Sequence, residues 1–341
     1  MEKTDLTYWL LIQQNLGLAS NTILAYRNVL NDYSSFCTSQ KLLPYKATKE
    51  DIALYVKNLL TRPVKSNLSP HIDKYPQHGL SNATIQQRLT VLRLYYDFLI
   101  EEGIRSDHPV GRSCWSKGFA DERRRGIVQR YRKLPWIPDD VEWNAILKTA
   151  STDSLRNRLM LAMAYDAGLR REELCSLIIS DIDPAHRLIH IRAETTKGRS
   201  ARIVPYSAAT GTLLVAYLHY RKSLTNDRHA LFISESLRNY GNPITLWTWS
   251  KVTRLIAVKS GVLKLSTHTF RHLCLTDLAR AGWELHEIAT FAGHRNTSTT
   301  LLYIHLSGRE LIEKLAKATT PHSQRILQII EAFHDDKRNK H

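Results

Sequence analysis

The sequence predicts a mainly α protein with a small β-sheet, divided into a helical first domain and an α+β second domain. Three observations lead there. Apolar residues recur at three- and four-residue spacing over most of the 341 residues. Strand-like alternation stands out in one short region, Leu188 to Tyr206. An arginine-rich stretch with few apolar residues, 120–133, interrupts the helical pattern between two halves that are each long enough for a core. The expected divisions are 1–118 for the helical domain, 119–137 for a basic linker, 138–318 for the second domain and 319–341 for a tail.

In the first domain, Leu6, Trp9, Leu10, Ile12 and Leu16 predict one helix, and Ile23, Tyr26, Val29, Leu30, Tyr33 and Phe36 a second, capped by Ser20 or Asn21. Thr48 caps a third helix running to Leu60, with Asp51 three residues on completing a capping box. Pro63, Pro70, Pro76 and Gly79 make 61–80 a long loop. A fourth helix, Asn82 to Glu102, buries Ile85, Leu89, Leu92, Tyr95, Tyr96 and Leu99 and stops at Gly103. Arg27, Lys57, Arg62, Lys65, Arg88 and Arg93 fall on polar faces, where solvated charge is the plain reading.

The second domain opens near Pro138 with Asp139 or Asp140 as cap, and helical spacing reaches Gly168 through Ile146, Leu147, Leu155, Leu159 and Met163. A helix starting at Arg170 buries Leu174 and Leu177. Strands over 188–193 and 201–206 flank a hairpin tip, 194–200, that carries Lys197. Helices follow over 211–223 and 245–259, with a short strand at Leu231 to Ile233 between them. Then come three helical patterns: one with Phe270, Leu273, Cys274 and Leu278, capped by Ser266 or Thr267; one from Trp283 to Ala292, ended by Gly293; and one capped by Thr297 or Ser298 that carries Tyr303, too early in it for an evident core position. Residues 310–316 close the domain, and Ile326, Leu327, Ile329, Ile330 and Phe333 form an amphipathic stripe in the tail.

Lys plus Arg number 48 against 32 Asp plus Glu, a net charge of +16, which suits a polyanion such as nucleic acid. Arg123, Arg124, Arg125, Arg130, Arg132 and Lys133 concentrate that charge in the linker, either as a solvated connector or as phosphate contacts. No apolar run approaches the roughly 20 residues that span a bilayer, and the start lacks a signal-peptide pattern, so a cytoplasmic protein off the membrane is expected. The four scattered cysteines suggest neither a disulfide frame nor a zinc knuckle.

Between Arg170 and Tyr303 lie the groups that phosphodiester cleavage through a covalent intermediate requires. Tyr303 offers a nucleophile, and Arg170 and Arg271 offer bidentate donors to phosphate oxygens. His268 and His294 can hydrogen-bond phosphate or move protons. Lys197 can serve as general acid, and Glu173, on the Arg170 helix, can orient a histidine.

Ala167-Gly-Leu-Arg-Arg-Glu-Glu-Leu174, Thr196-Lys-Gly198, His268-Thr-Phe-Arg-His272, Ala292-Gly-His294 and Thr299-Thr-Leu-Leu-Tyr303-Ile-His305 together resemble the boxes of the tyrosine recombinases, or phage integrases, over nearly the whole chain. Ala292 stands where the family usually has Leu. The resemblance implies a helical core-binding domain and a catalytic domain that clamp double-stranded DNA from opposite faces. Tyr303 would form a 3′-phosphotyrosyl link, with Arg170, Lys197, His268, Arg271 and His294 as the other catalytic residues and no metal or other cofactor. Strand exchange implies a homotetramer on DNA, with the tail stripe docked on a neighbour or on its own domain. The biological task would be integration, excision or transposition of a mobile element.

Two rivals remain open on the residues alone. His268, His272 and His294 could ligate a metal in a nuclease, although no HExxH is present and Arg271 would sit beside the cation. A non-catalytic DNA-binding regulator would account for charge and helices but not for the ordered catalytic set.

Overall fold

The computed structural model describes residues 4–63, 79–110, 134–196, 198–225 and 229–308. The chain divides into two compact units, Met1–Lys133 and Leu134–His341. Lys197, the basic stretch 123–133, the loop residues 64–78 and the tail from 309 onward lie outside the described residues.

The first unit contains α1 (Leu6–Asn15), α2 (Ser20–Ser39), α3 (Lys49–Thr61) and α4 (Asn82–Glu101). Thr48 and Asp51 form the expected capping box of α3. α2 starts one residue earlier than its predicted caps: Ala19 occupies the cap position and makes no side-chain bond, so Ser20 is already helical. Trp9, Tyr33, Ile52, Tyr55, Leu92 and Tyr96 fill the centre.

The buried phenols are satisfied in sequence, as dry polar groups must be. Tyr96 donates to the Pro44 carbonyl at 2.7 Å. Its single hydrogen thus used, it accepts from Tyr33, also at 2.7 Å. Arg62 and Arg88, expected as solvated surface, instead converge on Asp32, which also accepts from Tyr55. Arg93 donates to the Val110 carbonyl.

The second unit comprises α5 (Asp140–Ser151), α6 (Leu155–Asp166), α7 (Arg171–Cys175), β1 (Ile182–Asp183), β2 (Leu188–Ile191), β3 (Arg202–Pro205), α8 (Ala208–Lys222), α9 (Leu246–Ser260), α10 (Thr269–Arg280), α11 (Leu285–Ala292) and α12 (Thr297–Ser307). Asp139 caps α5 in a box with Glu142. The sheet is antiparallel in the order β1-β2-β3, with Ile189 opposite Val204. Both point to the core, and Ile203, next to Val204 in β3, faces out, so the period-two pattern sets the register.

β1, two residues long, has no alternation that a sequence could display. Leu231 to Ile233 is not a strand of the sheet: the segment makes isolated bridges, Ile178 to Ala230 and Ile233 to Pro243. Two predicted caps are also corrected. His268, not Ser266 or Thr267, occupies the cap position of α10, and Asn296 caps α12 through the Ser298 amide. α10 runs through the middle of the unit, packed on α6, α11 and α12, with Phe270 against Trp249 and Trp143.

The order of the buried hydroxyls sets an expected ranking. Tyr96→Phe should destabilise the protein by about 1–3 kcal/mol, because it strips a carbonyl of its donor and Tyr33 of its acceptor at once. Tyr33→Phe should cost less, since Tyr96 keeps its bond to Pro44. Urea unfolding of the two variants measures this, and equal losses would contradict the assigned direction.

Candidate active site

The site begins at the turn between α6 and α7. Gly168 has a positive φ of 54°, and a Cβ there would lie 3.1 Å from the Phe291 ring, so the tight turn and the close approach of α11 both call for glycine. The turn delivers Arg170 to the start of α7, where Glu173 reaches back. One carboxylate oxygen accepts from the Arg170 amide at 2.9 Å, and the other from its guanidinium at 2.8 Å.

From β3, Arg202 grips the same carboxylate with both terminal nitrogens, at 2.9 and 2.8 Å, and donates its Nε to the Phe291 carbonyl. Burial alone would raise the pKa of Glu173. The bonds and charge of Arg202, followed by those of Arg170, overcome this and hold it at about 2. Glu173 therefore orients two arginines, where the sequence had suggested a histidine.

α10 supplies Arg271, 3% exposed. Its guanidinium donates to the carbonyls of Gly168 and Ala292, each at 2.6 Å, and meets His294 Nε2 at 2.9 Å. Because arginine can only donate, His294 Nε2 is the unprotonated nitrogen and Nδ1–H donates to Thr300 at 2.9 Å. Burial, then Arg271 and Arg170, pushes the His294 pKa down to about 3, so the ring is neutral. Burial and the neighbouring Arg170 also bring Arg271 down to about 10, which still leaves it charged at neutral pH. Gly293, at a φ of 63°, turns the chain between α11 and His294, and Arg170 donates to its carbonyl.

Tyr303 comes from the middle of α12 and is 3% exposed, a core position that its place in the helical pattern did not make evident. Its hydroxyl is 3.0 Å from His272 Nδ1, and its ring lies flat against His294, with centroids 6.0 Å apart and planes at 8°. Burial raises its pKa while Arg271 and Arg170 pull the other way. His268, exposed at the mouth of α10, has its pKa lowered by desolvation and then by Arg271 and Arg170.

Arg170, Arg271 and His294 are therefore gathered around the Tyr303 phenol, and His268 packs beside His272 next to them. Lys197 and the linker cations Arg123, Arg124, Arg125, Arg130, Arg132 and Lys133 lie outside the described residues. Sequence reasoning missed Arg202, Thr300 and the part played by His272. An arginine at the start of a strand reads as surface, but its place shortly after the hairpin lysine was a usable signal. Among the described residues, no group of three His, Cys, Asp or Glu side chains is placed to hold a metal ion. The arrangement can bind an anion with guanidinium donors and present a phenol to it, with neutral imidazoles at hand for proton transfer.

Residues 139–310 match the phage integrase family, and residues 7–103 match the phage integrase N-terminal SAM-like domain. The tyrosine recombinase XerC of Listeria innocua is 25% identical over 317 residues, covering 91% of this chain and 94% of that protein. XerD of Oceanobacillus iheyensis is 29% identical over 314 residues, covering 90% and 94%. Two solved structures share the fold. The Tn1549 transposon integrase in complex with transposon right-end DNA superposes with a TM-score of 0.64 at 19% identity, over 93% of this chain and 100% of that one. The XerH site-specific recombinase bound to palindromic difH substrate, a post-cleavage complex, does so with a TM-score of 0.62 at 19% identity, over 92% and 84%.

The clamp on Glu173 makes stability pH-dependent. Its folded pKa of about 2 lies below the ordinary carboxylate value near 4.5, so its contribution is present above that value and is lost as pH falls through the folded pKa. Acid titration of the second unit's unfolding should show a loss on the order of 3 kcal/mol between about pH 5 and pH 2. Glu173→Gln should flatten that limb, and an unaltered acid limb in the variant would show that the stabilisation originates elsewhere.

Proposed function

The chain belongs to the phage integrase family and is a tyrosine recombinase, a DNA breaking and rejoining enzyme; on that premise, we propose that it cleaves duplex DNA with Tyr303 through a 3′-phosphotyrosyl intermediate. The observation carrying this reading is the convergence of Arg170, Arg271 and His294 on the Tyr303 phenol, with His268 beside them against His272. Arg170, a quarter exposed, and Arg271 would hold the non-bridging oxygens, and His268 would add a hydrogen bond from the mouth of α10. The Tyr303 oxygen attacks phosphorus, the bond to the 5′-oxygen breaks, and Lys197 protonates that leaving oxygen.

A 5′-hydroxyl from a partner duplex reverses the step. The tyrosyl ester retains the bond energy, so neither a nucleotide cofactor nor a metal is called for. Engagement of both His294 nitrogens by Arg271 and Thr300 supports this over the metal-nuclease alternative.

The division into a core-binding domain at 1–118, a linker at 119–137, a catalytic domain at 138–318 and a tail at 319–341 is retained in this proposal. The linker cations would bind DNA phosphates. Exchange between two duplexes would assemble four copies, acting on the nucleoid in the cytoplasm. Integration, excision or transposition of a mobile element is the task we assign, on the strength of the family match.

Tyr303→Phe should bind duplex DNA normally and form no covalent adduct on denaturing gels; a retained adduct would remove Tyr303 as nucleophile. Cleavage of a suicide duplex should survive EDTA, whereas Arg170→Ala or Arg271→Ala should slow it on the order of 100-fold or more, the scale of removing one charge donor from a transition state. Loss of cleavage with chelator and its rescue by zinc would favour the nuclease. Replacing Arg123, Arg124 and Arg125 by Ala should reduce the salt slope of DNA binding by up to about 3. An unchanged slope would place them away from phosphates.

A further inference from the structure

We infer that His272 is the base that takes the phenolic proton from Tyr303 as that oxygen attacks phosphorus, an assignment that rests on the proposed nucleophile. His272 Nδ1 lies 3.0 Å from the hydroxyl, and the two rings pack with centroids 5.8 Å apart. The packing of α10 on α12 fixes the pair. Arg271, next to His272 in sequence, has only donors to offer, so the hydroxyl's own hydrogen is left for the imidazole.

The other basic groups near the phenol are committed elsewhere. His294 uses Nε2 on Arg271 and Nδ1 on Thr300, and it presents a ring face to Tyr303. Both Glu173 oxygens are taken by arginines. His268 packs beside His272, at 6.1 Å between centroids, and its site at the mouth of α10 suits the substrate phosphate.

In the free protein the His272 pKa is about 4, set by burial, then by His268 and Arg271, so the ring is neutral and able to accept. The groups facing it are His268, Arg271, Tyr303 and His294. A phosphate bound against Arg271 offsets the positive charge that opposes protonation of the imidazole, so the base strengthens when its substrate arrives. In the forward step the Oη–P bond forms, the bond to the 5′-oxygen breaks, the phenolic proton passes to Nδ1, and the leaving oxygen takes a proton from Lys197. In the reverse step the imidazolium returns its proton to the phenolate.

The test compares His272→Ala and His272→Asn with wild type on a suicide duplex and on the same duplex with sulfur in place of the 5′-bridging oxygen. Asparagine keeps a hydrogen-bond acceptor near the Nδ1 position but cannot be protonated, and it carries the test if the alanine variant folds poorly. Both variants should bind DNA within about twofold of wild type and cleave it about 100-fold more slowly, the scale of losing one general base. The defect should persist on the sulfur substrate, whose thiolate leaves without an acid.

Wild-type cleavage by His272→Asn would overturn the inference, leaving only a positioning bond. Faster cleavage would overturn it by making the contact a restraint on Tyr303. A defect abolished by sulfur would also overturn it, by moving His272 to the leaving-group side. An adduct formed by Tyr303→Phe would instead sink the nucleophile reading itself, whatever the His272 variants do.

Discussion

A buried guanidinium with no carboxylate in direct contact among the described residues organises this site. Arg271 is 3% exposed, and its bonds go to two backbone carbonyls and a neutral imidazole. Removing a cation from water normally demands an opposite charge. Here the carboxylate whose charge acts on it, Glu173, is shared by Arg170 and Arg202. Among the described residues, these three guanidiniums are set against one carboxylate in a partly dry pocket, an excess of positive charge. An arrangement of that kind is poorly balanced empty and well balanced around an anion, as a phosphate-handling site should be.

The same bonds join segments that are far apart in sequence. Arg271 ties the turn before α7 to the end of α11, while Arg202 ties β3 to α7 and to the Phe291 carbonyl. Gly168 and Gly293 allow the carbonyls and loops to approach so closely, since a Cβ on Gly293 would come within 3.0 Å of the Arg202 side chain. Burial, and after it the neighbouring positive groups, keep His294 and His272 uncharged. The site thereby separates fixed positive charge, carried by arginine, from titratable nitrogen, carried by histidine.

Much of this was legible in the sequence. Helical periodicity marked most of the helices, and the Thr48 box and Asp139, one of two candidate caps, were readable because capping is local. The residues around Tyr303 were found through their order along the chain. What escaped depends on tertiary contact. Arg62 and Arg88 looked solvated because Asp32 lies 30 and 56 residues away. The contact between His272 and Tyr303 exists only once α10 docks on α12, and nothing in either helix alone announces it. Burial of Tyr303 escaped for the same reason, since the α12 pattern taken by itself leaves its inner face undecided.

The low exposure of Tyr303 bears on safety as well as on chemistry. On the proposed reading, the protein diffuses along a genome with its reactive oxygen covered and hydrogen-bonded to a neighbour, out of reach of the innumerable phosphodiesters it merely brushes past. Cleavage then requires more than proximity: a phosphate must be seated among the guanidiniums beside the phenol. An enzyme whose mistakes are broken chromosomes thus keeps its blade sheathed between targets, and discrimination among sites can reside in how a strand is seated against the nucleophile as much as in recognising bases.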